Sequence, residues 1–103
     1  MKKYLPYRII RSNAGVFAGY VTSIEKDVVT LVDARRLWYW KGAASLSQLA
    51  IDGVSCPDEC KFSVPVDETV LGVIEIIDVT EKAQQSIAWV KEWNGDGSDY
   101  GYG

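Results

Sequence analysis

The first forty residues alternate short β-branched and aromatic runs with polar turn clusters, a rhythm that few folds other than an antiparallel sheet accommodate. Tyr4 to Arg11 (YLPYRIIR) reads as a strand with Pro6 near its start or on an edge. Ser12-Asn13-Ala14-Gly15 is turn chemistry. Val16 to Ile24 reads as a second strand, in which Gly19 marks a bulge or a close backbone approach. Glu25-Lys26-Asp27 turns the chain into a third run, Val28 to Asp33, and the two runs form a hairpin. Ala34 to Trp40 (ARRLWYW) continues as a strand. Period-two alternation puts Arg36, Trp38 and Trp40 on one face and Arg35, Leu37 and Tyr39 on the other.

The second half changes character. Gly42 stops the strand, and residues 43–51 read as a short helix with Ser45 or Ser47 near its N-terminus. Residues 54–63 form a loop, and Val64 to Glu68 is extended but interrupted by Pro65. Val70 to Val79 (VLGVIEIIDV) is the most hydrophobic stretch and reads as a central strand. Thr80 to Trp93 reads as a helix, started by a capping box at Asp78 and Glu81 or by Thr80 as the cap, and ended at Asn94-Gly95. Ala83, Ile87 and Val90 share its apolar face. The expected fold is α+β and mainly β. It is a small antiparallel sheet or partly open barrel, with one C-terminal helix and a short helix near residues 43–51. One domain is expected over residues 1–94, with a flexible Gly/Tyr/Asp tail over 95–103.

Composition narrows the function classes. The chain has 103 residues and no histidine, which removes Ser-His-Asp triads and histidine bases. No paired-carboxylate motif stands out. Cys56 and Cys60 lack CxxC spacing and have no second pair, so no metal site and no cofactor are expected. Reduced cysteines in a tight loop are the plainer reading, with a disulfide across the loop the alternative. No apolar run of membrane-spanning length occurs. Arg8 and Arg11 interrupt what would have to be a signal-peptide core, so the cytoplasm is the expected compartment. Residues 1–41 carry eight basic groups against three acids, and residues 42–103 carry three against eleven. This split hints at an anion-facing surface, while the overall charge of −3 argues against duplex nucleic acid.

Three segments carry candidate chemistry. Arg35 and Arg36 offer planar donor forks for phosphate, and Trp38, Tyr39 and Trp40 offer faces on which a base stacks. The alternative is an ordinary strand, with its tryptophans in a core and its arginines paired to acids. Gly42 to Gln48 places small residues and the side chains of Ser45, Ser47 and Gln48 at a helix start suited to an anion, or simply at a capped turn. Phe17, between Gly15 and Gly19, is either an exposed stacking face or a core residue beside a bulge.

The blocks AGVFAG (14–19), DARRLWYW (33–40), GAASLSQLA (42–50), CKF (60–62) and VIEIIDVTEKAQQSI (73–87) together resemble a family of small phage and prophage proteins of no assigned activity. The resemblance covers about residues 7–93 and implies a phage origin. By a looser analogy of type, the chain is similar to phage anti-defence sponges that sequester nucleotide immune signals. The expectation is a non-enzymatic protein that acts in the host bacterial cytoplasm. It would form a homo-oligomer and hold a small phosphate-bearing nucleotide signal, cyclic ADP-ribose-like or a cyclic oligonucleotide, with no duplex nucleic acid and no membrane partner. Arg35 and Arg36 would take phosphates, Trp38, Tyr39, Trp40 and Phe17 would stack, and Ser45, Ser47 and Gln48 would orient the ligand. Rival readings are a virion or assembly protein, a host-protein binder that uses the aromatic block as its interface or the acidic half as a nucleic-acid mimic, and an enzyme acting through Asp33 or Tyr39.

Overall fold

A computed structural model describes residues 5–93. The protein is α+β and mainly β, a six-stranded antiparallel sheet with two helices. Strands β1 (Tyr7–Ser12), β2 (Gly15–Glu25) and β3 (Val28–Tyr39) form a meander. After β3 come helix α1 (Leu46–Asp52), strands β4 (Lys61–Phe62), β5 (Val66–Val70) and β6 (Val73–Asp78), and helix α2 (Glu81–Trp89). The sheet order is β4-β3-β2-β1-β6, with β5 also paired to β3. β5 and β6 lie at opposite edges, yet only Leu71 and Gly72 separate them. The sheet must therefore curl until its edges approach. Two backbone bonds pin this connection across the opening, from Val73 N–H to the Asp27 carbonyl (2.9 Å) and from Asn13 N–H to the Gly72 carbonyl (3.1 Å).

The curled sheet has a core on each face. Ile10, Phe17, Val21, Val29, Leu31, Ala34 and Val70 fill the concave side. On the other side Ile9, Leu37, Leu49, Phe62 and Ile87 pack the helices onto the strands. Thr80 starts α2, its Oγ1 accepting from Ala83 N–H (3.1 Å), and Ser45 starts α1 by accepting from Gln48 N–H (3.1 Å). Ala83, Ile87 and Val90 are buried, as their helical spacing requires.

Two expectations are corrected. Residues 70–79 are not one central strand. They break at Leu71-Gly72, where Gly72 has φ +66°, and β6 is an edge strand with Ile74 and Ile76 exposed. Helix α2 ends at Trp89, and Trp93 instead donates its N–H to the Phe62 carbonyl (2.9 Å). The expected helix stop at Asn94-Gly95 and the 95–103 tail lie outside the described residues.

A bulge in β3 decides which side chains reach which core. Ala18 pairs with Arg35 and Tyr20 with Val32, so Gly19 alone opposes both Asp33 and Ala34. Asp33 takes φ +50°, a left-handed conformation that Asp tolerates better than most residues. The extra residue reverses the alternation. Val29 and Leu31 face the concave core before it, and Ala34 does so after it. Arg35 is thereby turned toward the helices. Gly19 is required because a Cβ there would lie 2.8 Å from Ala34 Cα.

Candidate functional site

The turn of Arg35 toward the helices places it at a cleft between the sheet and α2. Arg35 is only 3% exposed. Its Nε donates to the Ser63 carbonyl and its Nη1 to the Ile87 carbonyl, both at 2.7 Å. The guanidinium also lies 5.6 Å from the Phe62 ring centroid. Its Nη2 is buried and has no hydrogen-bond partner among the described residues. Burial lowers the Arg35 pKa, while Tyr7 and Glu92 oppose that shift. No carboxylate forms an ion pair with it among the described residues, where the buried cation is held by two backbone carbonyls and the Phe62 ring.

Arg35 lines a cleft of about 480 Å³, a size ordinary for small-molecule sites. Tyr7 and Tyr20 line it from the sheet, their rings edge-to-face at 5.0 Å. Gln84 and Ala88, one helical turn apart, line it from α2, and Gln84 Nε2 donates to the Tyr20 hydroxyl (3.0 Å). Burial, reinforced by Tyr20, raises the Tyr7 pKa far above the usual phenol range, so Tyr7 stays a neutral hydroxyl. Lys91, Glu92 and Asp33 also line the cleft and make it mixed in charge. The lining combines a buried guanidinium, an ammonium, two phenol rings, an amide and two carboxylates. That set can bind and orient a small ligand.

The sequence-predicted site residues do not converge there. Of the expected ligand-binding residues Arg35 alone lines the cleft, beside Asp33, which the sequence offered only to the enzyme reading. Arg36 points to the opposite face, where its guanidinium sits 5.3 Å from the Phe17 ring and its Nη2 donates to the Ala14 carbonyl. Phe17 is 4% exposed and belongs to the concave core, so its ring is not a free stacking face. Trp38 is 37% exposed and packs edge-to-face on Trp93 at 5.3 Å, with Lys61 over the far partner of that pair at 5.0 Å. Tyr39 is 49% exposed, and Trp40 packs against the helix-side core. Ser45 caps α1, Gln48 Oε1 accepts from Ala44 N–H (3.0 Å), and Ser47 is exposed on α1. The charge asymmetry of the sequence is partly paired off by the fold, since Arg8 bonds Asp78 (3.0 Å) and Arg11 bonds Glu75 (2.9 Å).

Sequence reasoning missed Tyr7, Tyr20, Gln84 and Glu92. Tyr7 and Tyr20 are cross-strand partners in the β1–β2 pair, and Gln84 and Glu92 join them only because α2 and the segment after it lie on the sheet. The helical spacing of Gln84, Ala88 and Lys91 was the one available signal, a stripe beside the core face of α2. Cys56 and Cys60 are both free thiols, and burial raises the Cys60 pKa. Among the described residues no cluster of three or more acids and cysteines is placed to hold a metal ion, and no helix is long and apolar enough to cross a membrane.

The fold and cleft thus define a small α+β domain organised around one buried arginine. The model of a protein family described as a domain of unknown function, DUF6948, matches residues 6–87, and the chain belongs to that family. No curated protein and no solved structure matches it.

Proposed function

We propose that the chain is a non-enzymatic binding protein that holds a small, anionic, ring-bearing ligand of the nucleotide class in the cleft at Arg35. The observation that carries this reading is the buried Arg35 Nη2, a cationic donor without a partner among the described residues, in a residue that lines a ligand-sized cleft. A buried guanidinium with no carboxylate partner among the described residues costs free energy, and an anion admitted beside it offsets that cost. Tyr7, Tyr20 and the apolar side chains of Ala88 and Val90 give a ring something to lie against. In a phage-encoded protein, such binding would sequester a nucleotide-type immune signal in the host bacterial cytoplasm and blunt anti-phage defence. Calorimetry with a panel of cyclic nucleotides and ADP-ribose isomers tests the reading. Binding that is lost on filling the cleft with Ala88→Trp supports it, and silence across the panel ends it.

A second reading has its own observation. Trp38 and Tyr39 are partly exposed and Trp89, on α2, is 85% exposed, and exposed aromatics of this kind are enriched at protein interfaces. On this reading the aromatic surfaces contact a second copy, a virion component or a host protein. Its test is sedimentation of the chain alone and recovery of one stoichiometric partner.

A further inference from the structure

The two cysteines stand on either side of one turn, and that turn is clasped to the end of β3. Pro57, Asp58 and Glu59 form a single 3-10 turn, with Cys56 before it and Cys60 after it. Glu59 N–H donates to the Cys56 carbonyl (3.0 Å) and Cys60 N–H to the Pro57 carbonyl (3.2 Å). The Cys60 thiol folds back over the turn and donates to the Cys56 carbonyl, its Sγ 3.4 Å from that oxygen. Cys60 is buried and Cys56 half-buried. The Cys56 Sγ lies 3.9 Å from the Ser55 hydroxyl, a contact too long to fix its rotamer. Cys60 is also where the turn grips β3. Its Sγ accepts from Lys41 N–H (3.4 Å) and lies 3.8 Å from the Lys41 carbonyl. Lys41 Nζ pairs with Glu59 (2.9 Å). Lys41 directly follows Trp38, Tyr39 and Trp40.

We propose that Cys56 and Cys60 form a thiol–disulfide switch that hydrogen peroxide closes, and that closing it releases the Lys41 amide at the end of the aromatic strand. The Cys56 thiolate attacks the peroxide, the O–O bond breaks, and Cys56 becomes a sulfenic acid as hydroxide leaves. The Cys60 sulfur then attacks the Cys56 sulfur. The S–S bond forms, the S–O bond breaks, and the departing hydroxide takes the Cys60 proton and leaves as water. Burial holds Cys60 as a thiol, which leaves the first attack to Cys56. Residues four apart around a helical turn have Cβ atoms about 5–6 Å apart, and a disulfide needs about 3.5–4.5 Å. The bond therefore draws the turn tighter, and a strained disulfide is readily reduced again. Once in that bond, the Cys60 sulfur has no S–H to donate and is pulled away from Lys41.

The test treats the reduced full chain with dilute hydrogen peroxide and reads intact mass, mapped peptides and amide exchange. The expected product is a single chain lighter by two hydrogens, with Cys56 linked to Cys60. Its Lys41 N–H should exchange about fivefold faster, the effect of losing one hydrogen bond, and dithiothreitol should restore both properties. Cys60→Ser should stop at a sulfenic acid on Cys56 that dimedone traps. Cys56→Ser should leave Cys60 unoxidised at the same dose of peroxide, and it carries the test alone should Cys60→Ser fail to fold. Separate sulfinic acids, a disulfide between two chains, or Cys60 oxidised in Cys56→Ser as readily as in the wild type overturns the pairing. A disulfide that leaves Lys41 exchange unchanged overturns the switch.

Discussion

Replacing Arg35 with methionine separates a residue kept for a ligand from one kept for stability. Methionine retains much of the apolar stem and removes the charge. Two hydrogen bonds are lost, to the Ser63 and Ile87 carbonyls. The Ile87 carbonyl keeps a second donor, Val90 N–H at 3.3 Å. The Ser63 carbonyl is the one stranded, at a cost of about 1–3 kcal/mol. Against this, the fold no longer buries a guanidinium that lacks a carboxylate, a penalty of several kcal/mol by itself. The two effects are similar in size and opposite in sign. Arg35→Met should therefore stay within about 2 kcal/mol of the wild type, or roughly 8–16 °C in Tm for a domain of this size. Urea unfolding followed by tryptophan fluorescence measures it. Saturating ligand should stabilise the wild type by about 2.7 kcal/mol at one hundred times its Kd, and the variant not at all. A loss above about 4 kcal/mol in the absence of ligand would refute the reasoning, because Arg35 would then be a structural tie like any other broken buried pair.

Other substitutions probe the frame and its surfaces. Gly19→Ala forces a Cβ to within 2.8 Å of Ala34 Cα and should destabilise by about 1–3 kcal/mol in the same assay. Because the bulge aims Arg35, this variant should also weaken ligand binding. Glu68 has its pKa raised by burial, with Arg36 partly opposing. A carboxyl raised in the folded state supports the fold at low pH and ceases to as pH climbs from the ordinary 4.5 through the folded value. Glu68→Gln should accordingly raise Tm at pH 7 and leave it unchanged below pH 4.5, which a melting series across pH checks. Trp89→Ser, at an exposed site, should shift stability by no more than about 0.5 kcal/mol. Loss of oligomer or of a bound partner in that variant would favour the interface reading.

Local signals in the sequence located most elements. The runs around Ser12-Asn13-Ala14-Gly15 and Glu25-Lys26-Asp27 are strands joined by those turns, and Thr80 caps α2. Gly19 pointed to a bulge or a close backbone approach, and it has both across from it: the extra residue of β3 and the nearby Ala34 backbone. What period-two counting could not deliver was its consequence. Asp33 adds one residue in a left-handed conformation, and Ala34 to Leu37 change face relative to the residues before it. A second irregularity, between Leu37 and Tyr39, then puts Trp40 on the side of Leu37 and not, as alternation predicts, on that of Arg36. The residues 70–79 misled through hydrophobicity. Their isoleucines are distributed over an edge strand, where Ile77, opposite Ile9, packs against the helix-side core and Ile76, opposite Ile10, stays exposed. The Arg35-Arg36 pair was legible as chemistry and not as one site, because adjacent strand residues face opposite sides of a sheet. Arg35 gained a cleft, and Arg36 gained Phe17 and the Ala14 carbonyl. The cleft itself is a product of long-range topology, since Gln84 and Glu92 reach the cross-strand pair Tyr7 and Tyr20 only when α2 lies on the curled sheet.

The central claim is that ligand enters at Arg35. Backbone and Arg Nε chemical-shift mapping of the isotope-labelled chain, titrated with 3′,5′-cyclic AMP, tests it most directly. The account requires the shifts to gather on Tyr7, Tyr20, Arg35, Gln84 and Glu92, with the Arg35 Nε–H among the largest. Shifts confined to Trp38, Tyr39 and Trp89, or no shifts at all, would contradict it.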